Sequence, residues 1–155
     1  MNAYDVAVGG PRFSTAGVSA KDSFGLWESI LNESMMGCSL EPLTTGRFHG
    51  TLDPCVHSEP ISIVQMANSG MFGRRTHRHI ASSDSQDVIL SLTMAGVSEM
   101  RCGEDSLRLP VGTMSILDCE QPQESVVSDY QCIVIRIRRD LLMSAAGLGE
   151  DDFPS

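Results

Sequence analysis

Short apolar stretches separated by turn-forming residues dominate the middle of this sequence, from residue 46 to residue 139. Most are too short for a helix, and several alternate between apolar and polar positions, the period of a strand with one buried face. The predicted strands cover residues 46–57, 61–68, 74–81, 87–95, 97–102, 106–109, 113–119 and 125–138. Strands this short and this closely spaced are typical of a β-sandwich or β-barrel. The pattern therefore predicts a mainly β fold.

Three segments of this pattern carry specific expectations. Residues 87–95 are almost continuously apolar, which predicts a strand buried on both faces. Residues 125–138 end in alternating isoleucines and are predicted as one long strand. Asp53-Pro54 interrupts residues 46–57, and this pair predicts a turn.

Helical spacing of apolar residues occurs only near the two ends of the chain. It begins after Asp22 and Ser23, either of which can cap a helix that ends near Gly37. It returns in residues 140–148, and Gly149 is expected to end that second helix. The sequence thus predicts one helix before the strands and one after them.

Length and composition are those of one globular domain. A chain of 155 residues can bury one core but is too short for two ordinary domains. Residues 1–20 are predicted to be a loosely ordered lead-in, and residues 21–150 the domain. No apolar run reaches the roughly 18 residues of a membrane-spanning helix. The five cysteines include no CxxC pair, which favours a reduced, cytoplasmic protein over a disulfide or zinc framework.

The distribution of charge changes this picture at one place. The net charge of −9 argues against sequence-independent binding to nucleic acid. Between Glu59 and Asp84, however, there is no acidic residue, and Arg74, Arg75 and Arg78 lie there with two histidines. Arginine forms bidentate hydrogen bonds with phosphate and stacks on bases. The cluster therefore suggests a small anionic partner.

The two histidines of this cluster raise the question of a metal site. His77 and His79 form an HxH pair, which on a strand would place both rings on one face, as in metal-binding cupins. Such a site also needs a nearby carboxylate, but the next glutamate is Glu99, and residues 110–116 contain no histidine. No GxSxG motif or glycine-rich phosphate loop is present. We expect no metal, no cofactor and no enzymatic activity, with a metal-dependent cupin enzyme as the weaker alternative.

Several short motifs, in this order and spacing, resemble the N-terminal effector-binding domain of AraC-type bacterial transcription regulators. The resemblance runs from Trp27 to Leu142, over most of the chain. The motifs are Gly46-Arg47-Phe48-His49-Gly50, Arg75-Thr76-x-x-x-Ile80, Ser91-Leu92-x-x-x-Gly96, Leu109-Pro110-Val111-Gly112, Asp118 followed by Pro122, and Arg138-Arg139-Asp140-Leu141-Leu142.

This resemblance implies a fold, a homodimer, and separate parts of the protein for effector binding and DNA binding. In that family a cupin-like β-barrel binds a small effector, helices that follow it form a homodimer, and a separate pair of helix-turn-helix motifs binds promoter DNA. The sequence ends at Ser155, where that second part would begin, so the expectation is a sensor domain without it. No membrane partner is expected.

The arginine cluster suggests which effector is bound. Arg74-x-x-x-Arg78 is similar to the RxxxR motif with which PilZ-type domains bind cyclic di-GMP. On an extended strand, Arg74, Thr76 and Arg78 would point to one side, with the arginine α-carbons about 13 Å apart. PilZ domains also carry an Asp/Asn-x-Ser-x-x-Gly motif after the arginines. Its match in this sequence lies at residues 32–37, before the arginines, so a PilZ fold is excluded. Expected ligand-binding residues are Arg74, Arg78, Thr76, Arg75, His77, Phe72 and Phe48, the two phenylalanines offering surfaces on which guanine could stack.

The sequence leaves alternatives to a dinucleotide site open. Another small metabolite could bind inside the barrel, with apolar residues such as Leu90 or Leu92 setting its identity. The arginines could also pair with Asp84, Asp87 or Glu59, or form a dimer face. Arg75 occupies an arginine position of the family's own motif, which favours a structural role for it.

Overall fold

The computed structural model describes residues 7–8, 10–58, 60–83, 86–147 and 149. The elements in chain order are β1 (Ala7–Val8), β2 (Phe13–Ser14), a 3-10 turn (Thr15–Gly17), α1 (Ala20–Ser34), β3 (Ser39–Pro42), β4 (Gly50–His57), β5 (Ile61–Asn68), β6 (Met71–Arg75), α2 (His77–Ala81), β7 (Asp87–Ala95), β8 (Ser98–Cys102), β9 (Asp105–Leu109), β10 (Met114–Asp118), β11 (Gln123–Val127), β12 (Tyr130–Arg138) and α3 (Arg139–Ala146).

Two antiparallel sheets make up the fold. The larger has seven strands in the order β1-β4-β5-β12-β7-β10, with β2 also paired to β4. The smaller has five strands in the order β3-β6-β11-β8-β9. The mainly β, cupin-like architecture with a helix towards each end, predicted from the sequence, is confirmed. None of the helices in the described part of the chain is long and apolar enough to cross a membrane.

The core is formed where α1 meets the inner faces of the strands. Trp27, Ile30 and Leu31 of α1 are buried in one cluster with strand residues that include Leu52 and Val134. The strand residues reach this cluster because alternate side chains of a strand point to the same face of its sheet. The side chains between them point outward, where they can form a binding surface.

Gly50 allows the Trp27 ring of α1 to pack directly on the backbone of the sheet. A Cβ added at Gly50 would lie 2.3 Å from Cε3 of the fully buried Trp27. Gly50→Ala is therefore expected to lower the free energy of unfolding by about 1–3 kcal/mol, measured by urea denaturation, because overpacking a rigid core costs that much.

Gly25 provides the matched control. It lies on the exposed side of α1, and a Cβ added there meets nothing within 4 Å. Gly25→Ala should leave stability unchanged or raise it by up to about 1 kcal/mol, as alanine favours helix over glycine. A Gly50→Ala variant as stable as Gly25→Ala would contradict the packing argument.

The predicted strand 74–81 is wrong in its second half. Strand β6 ends at Arg75, and Thr76 caps the N-terminus of the short helix α2, which begins at His77. The Thr76 backbone N–H donates to His79 Nδ1 (3.0 Å), and the His79 N–H donates to Thr76 Oγ1 (3.5 Å). This reciprocal capping box satisfies two backbone donors locally, so the chain turns instead of extending.

Two further strand predictions are corrected by local turns and bulges. Residues 125–138 form two strands, β11 and β12, separated at Ser128-Asp129, where the Ser128 N–H donates to Val97 O (3.1 Å). Asp53-Pro54 lies inside β4 and makes no turn, because a register shift between Pro54 and Val56 accommodates a residue without an N–H.

The ends of the domain also differ from the sequence-based bounds. Helix α1 begins at Ala20 and ends at Ser34. Helix α3 ends at Ala146 and is capped by Gly147 instead of the predicted Gly149; the φ of 65° at Gly147 is the left-handed conformation of a C-capping glycine. Within the predicted lead-in, Phe13–Ser14 pairs with β4. Thr15 is buried and donates to Phe48 O (2.9 Å), so this part is anchored to the barrel. Residues 1–6 and 9 of that lead-in lie outside the described residues.

Candidate functional site

An open groove of about 480 Å³ lies on the outer face of the smaller sheet, where β3 and β6 meet α2. It is lined by Ser39, Glu41, Phe72, Arg74, Thr76, Arg78, His79 and Ser82. Four residues predicted from the sequence as ligand-binding, Arg74, Arg78, Thr76 and Phe72, are thus brought together here. The groove has a volume typical of small-molecule binding sites.

Register and alternation place the strand residues in the groove. Ser39 of β3 lies opposite Arg74 of β6, and Glu41 lies opposite Phe72. Arg74 points outward and is exposed, whereas the next residue, Arg75, points inward and is buried. The floor of the groove is therefore formed by two pairs of directly opposed residues on neighbouring strands.

Arg74 is already held by two neighbours. Its Nε donates to Glu124 Oε1 at 2.8 Å, and its guanidinium carbon lies 5.4 Å from the centre of the Phe72 ring. Its side chain nevertheless remains 53% exposed. A ligand can reach this guanidinium, but an anion that binds it competes with the Glu124 carboxylate.

Arg78 lines the groove from α2. It is exposed, and in residues 10–58, 60–83 and 86–147 its side chain has no ion pair or hydrogen bond. Arg74 and Arg78 face one groove because the chain turns from strand into helix at Thr76, not because residues 74–80 are extended as predicted. The expected 13 Å spacing along one strand therefore does not apply.

His79 fixes α2 against the sheet. Because the Thr76 N–H donates to Nδ1, a neutral His79 carries its proton on Nε2, which lies 3.3 Å from Ser39 Oγ. This side chain joins α2 to β3 and to Thr76, the residue that follows β6. It thereby sets the position of Arg78 above the groove.

His77 points elsewhere. It lines a second open cleft with Arg101 and Glu124, so the two histidines do not share a strand face as a metal-binding HxH pair would. Within the described ranges, no three His, Cys, Asp or Glu side chains are grouped as a metal would require. The expectation that no metal binds stays a prediction.

Phe48 does not reach the groove. It is 2% exposed and packs in the core, with its ring 5.1 Å from that of Phe24 and 6.1 Å from that of Trp27. Of the two phenylalanines expected to offer stacking surfaces, only Phe72 lies at the groove.

Arg75 lies inside the barrel, where its guanidinium connects separate segments of the chain. Its Nε donates to Cys119 O (2.8 Å) and its Nη1 to Gly37 O (2.5 Å). Its Nη2 is buried and has no hydrogen-bond partner in the described structure. Among the carboxylates that the sequence offers as partners for the arginine cluster, Glu59 and Asp84 lie outside the described residues, and Asp87 pairs with Arg136 at 3.4 Å.

Arg75 also lines an interior cavity of about 150 Å³. Five methionines contribute to its wall, namely Met35, Met36, Met66, Met71 and Met100. Burial raises the pKa of the Cys38 thiol at this cavity to about 11, against the lowering effect of the Arg75 charge, so Cys38 is uncharged at neutral pH. The cavity wall is therefore mostly apolar, and its polar members include Arg75, Gln123 and Tyr130.

Sequence reasoning misses several residues at the groove. Ser39 and Glu41 lie on β3, which the pattern does not predict because only Leu40 alternates with polar neighbours over four residues. Glu124 lies on β11, which begins earlier than predicted. Their placement depends on pairing between strands that are distant in sequence, for which a single sequence carries no local signal.

Glu124 lies between two arginines across three neighbouring strands. The register places it opposite both Arg74 of β6 and Arg101 of β8. Glu124→Gln is expected to tighten binding of an anionic ligand at Arg74 by about two- to fivefold, because an exposed ion pair no longer has to be broken. Calorimetric titration with cyclic di-GMP measures this change.

Glu99→Gln is the control for the loss of one negative charge. Glu99 is an exposed residue of β8 on the same sheet and does not line the groove. If both variants tighten binding equally, the effect is one of net charge and not of the Arg74–Glu124 pair.

A known protein family matches most of this chain. A family model described as the AraC-binding-like domain matches residues 27–155. Among curated proteins, no match to this chain is found. The crystal structure of the AraC-like transcriptional activator CuxR superposes with a TM-score of 0.77 at 16% identity, over 88% of this chain and 50% of that chain.

Two cupin structures are also similar. One is an RmlC-like cupin protein from Desulfovibrio desulfuricans, at 17% identity and a TM-score of 0.43, over 56% of this chain and 80% of that one. The other is the cupin domain of Schizosaccharomyces pombe Cnp3, at 11% identity and a TM-score of 0.46, over 76% and 79%. The chain spans half the length of CuxR. Because the family model matches most of its residues, the chain belongs to the family of AraC-binding-like domains.

Proposed function

We propose that this chain is the effector-sensing domain of an AraC-type transcription regulator and that its outer groove binds cyclic di-GMP. The observation that carries the proposal is the convergence of Arg74 and Arg78 with the Phe72 ring on one groove of about 480 Å³. Cyclic di-GMP carries two phosphates and two guanines. Guanidinium groups bind phosphates in a bidentate manner and stack on purines.

Volume favours the groove over the barrel interior for a ligand of this size. The interior cavity of about 150 Å³ has the volume that holds a single benzene ring. The outer groove, at about 480 Å³, lies within the range of sites for larger small molecules. A cyclic dinucleotide is too large for the cavity, so the open groove is the site expected for it.

Calorimetric titration of the whole chain with cyclic di-GMP tests this proposal, with the linear dinucleotide pGpG as the control ligand. Saturable binding at micromolar concentrations is expected for cyclic di-GMP, and weaker binding for pGpG, because the cyclic ligand is already held compact. No binding heat and no rise in melting temperature at millimolar cyclic di-GMP would overturn the proposal.

A second candidate effector is a small aromatic or aliphatic carboxylate inside the barrel. The buried Arg75 Nη2 without a partner favours it, since an unpaired buried donor is costly and a carboxylate would satisfy it. The apolar wall of methionines would receive the rest of such a molecule, because methionine adapts to ligands of different shape.

Regulation requires that ligand binding differ between two states of the protein. We expect the domain to form a homodimer whose arrangement responds to the effector, and promoter DNA to be bound by a helix-turn-helix part of the regulator outside the matched region. The cytoplasmic location and the absence of enzymatic activity and of a cofactor stay predictions.

A further inference from the structure

The groove contains one feature that an anion-binding site alone does not explain. Glu41 of β3 lines it, is exposed, and makes no ion pair or side-chain hydrogen bond with any residue that the structure describes. Arg74, on the neighbouring strand, is paired with Glu124 instead. An unpaired carboxylate repels the phosphates proposed to bind beside it, so a ligand that also donates hydrogen bonds to Glu41 would bind better than one that carries phosphates alone.

The register gives Glu41 a particular neighbour. It lies directly opposite Phe72, and directly opposed residues of an antiparallel pair have Cβ atoms about 4.5–5.5 Å apart. The Phe72 ring and the Arg74 guanidinium lie together, 5.4 Å apart, and offer a π surface that carries positive charge. A flat base stacked on this surface would lie within reach of the Glu41 carboxylate.

The chemistry of purine edges then selects one base. The Watson–Crick edge of guanine presents two donors side by side, N1–H and N2–H, and a carboxylate accepts both. Adenine presents the N1 lone pair at that edge, which a carboxylate repels. Discrimination of this kind is strong because the wrong base leaves charged or polar groups unpaired.

We propose that Glu41 is the specificity-determining residue that reads guanine in the groove and rejects adenine. The inference rests on the proposed binding of cyclic di-GMP at this site and adds the residue that chooses the base. In this assignment the two arginines bind phosphate in any cyclic dinucleotide, whereas Glu41 determines which one is bound.

The ratio of two dissociation constants tests this assignment. Calorimetry measures cyclic di-GMP and cyclic di-AMP binding to the whole chain and to its Glu41→Gln variant. The wild-type chain is expected to prefer cyclic di-GMP by about 10- to 100-fold, the discrimination of one bidentate contact. Glu41→Gln is expected to lose most of that preference and to bind cyclic di-AMP more tightly, because an amide can donate to adenine N1 and accept from N6–H.

Two controls separate base reading from other effects. Glu99→Gln removes the same charge from the same sheet outside the groove and should leave the ratio unchanged. Melting temperatures confirm that each variant is folded. A Glu41→Gln variant that binds cyclic di-GMP with an unchanged ratio overturns the assignment but keeps the proposed function. A wild-type chain that binds neither dinucleotide overturns both.

Discussion

Replacing Arg78 with alanine is expected to weaken cyclic di-GMP binding by roughly 10- to 150-fold, since a hydrogen bond to a charged partner contributes about 1.5–3 kcal/mol. Arg78 is exposed on α2, and among the described residues its side chain has no ion pair or hydrogen bond to lose. The melting temperature should therefore stay within about two degrees of wild type, since surface substitutions of this kind change stability by no more than about 0.5 kcal/mol.

Arg78 gives a sharper test than Arg74. Removing Arg74 also frees the Glu124 carboxylate to repel the ligand, so two effects are combined in that variant. Arg78→Lys retains the charge but loses the planar fork, and its affinity should fall between those of wild type and Arg78→Ala.

Arg108→Ala is the matched control for Arg78→Ala. Arg108 is an exposed arginine of β9 on the same sheet, and it does not line the groove. If long-range electrostatic attraction alone caused the effect, Arg78→Ala and Arg108→Ala would weaken cyclic di-GMP binding equally. Wild-type affinity in Arg78→Ala would remove Arg78 from the site.

Much of the fold could be predicted because the apolar pattern along the strands is strong. The pattern predicts residues 87–95 as a strand buried on both faces, and they form β7 with those bounds. The predicted burial on both faces is wrong, because only Val88, Ile89 and Thr93 are buried and Met94 is 46% exposed. This strand lies between β12 and β10 in the large sheet, so both of its backbone edges are paired. Strand periodicity predicts the β architecture because burying the inner face of a sheet requires apolar residues at alternate positions.

The site could be predicted in part, although the geometry that brings its two arginines together differs from the predicted geometry. The sequence predicts that Arg74 and Arg78 converge along one strand, whereas they converge across a turn from strand to helix. The Thr76–His79 capping box causes that turn, and the usual form of this motif has Glu or Gln in place of the histidine. Glu41 could not be predicted at the groove, because its opposition to Phe72 arises from pairing across about thirty residues of sequence.

Consecutive residues of β6 separate the two candidate effector sites. Arg74 points to the outer groove, and Arg75 points into the barrel, because successive side chains of a strand alternate between its faces. Substitutions at these two positions therefore probe different sites on one strand. Substitution of Arg75 should mainly lower stability, whereas substitution of Arg74 should mainly weaken dinucleotide binding.

Arg75→Ala is expected to lower the free energy of unfolding by about 3–6 kcal/mol, the largest stability change predicted for this domain. Arg75 is 2% exposed and donates two hydrogen bonds, to Cys119 O and Gly37 O, each contributing about 1.5–3 kcal/mol for a charged donor. These bonds connect the end of β6 to the segment after α1 and to the segment after β10. Urea denaturation measures the change, read from the midpoint at constant slope.

Arg75→Lys and Arg101→Ala keep this prediction falsifiable if Arg75→Ala does not fold. Arg75→Lys should lose less stability, since an ammonium group can still reach one carbonyl. Arg101→Ala removes an exposed arginine of β8 and should change stability by no more than about 0.5 kcal/mol. Benzoate, as a probe carboxylate, should raise the melting temperature of wild type and not of Arg75→Lys if the Nη2 donor receives an effector. If Arg75→Ala is as stable as Arg101→Ala, the buried guanidinium does not hold the barrel together.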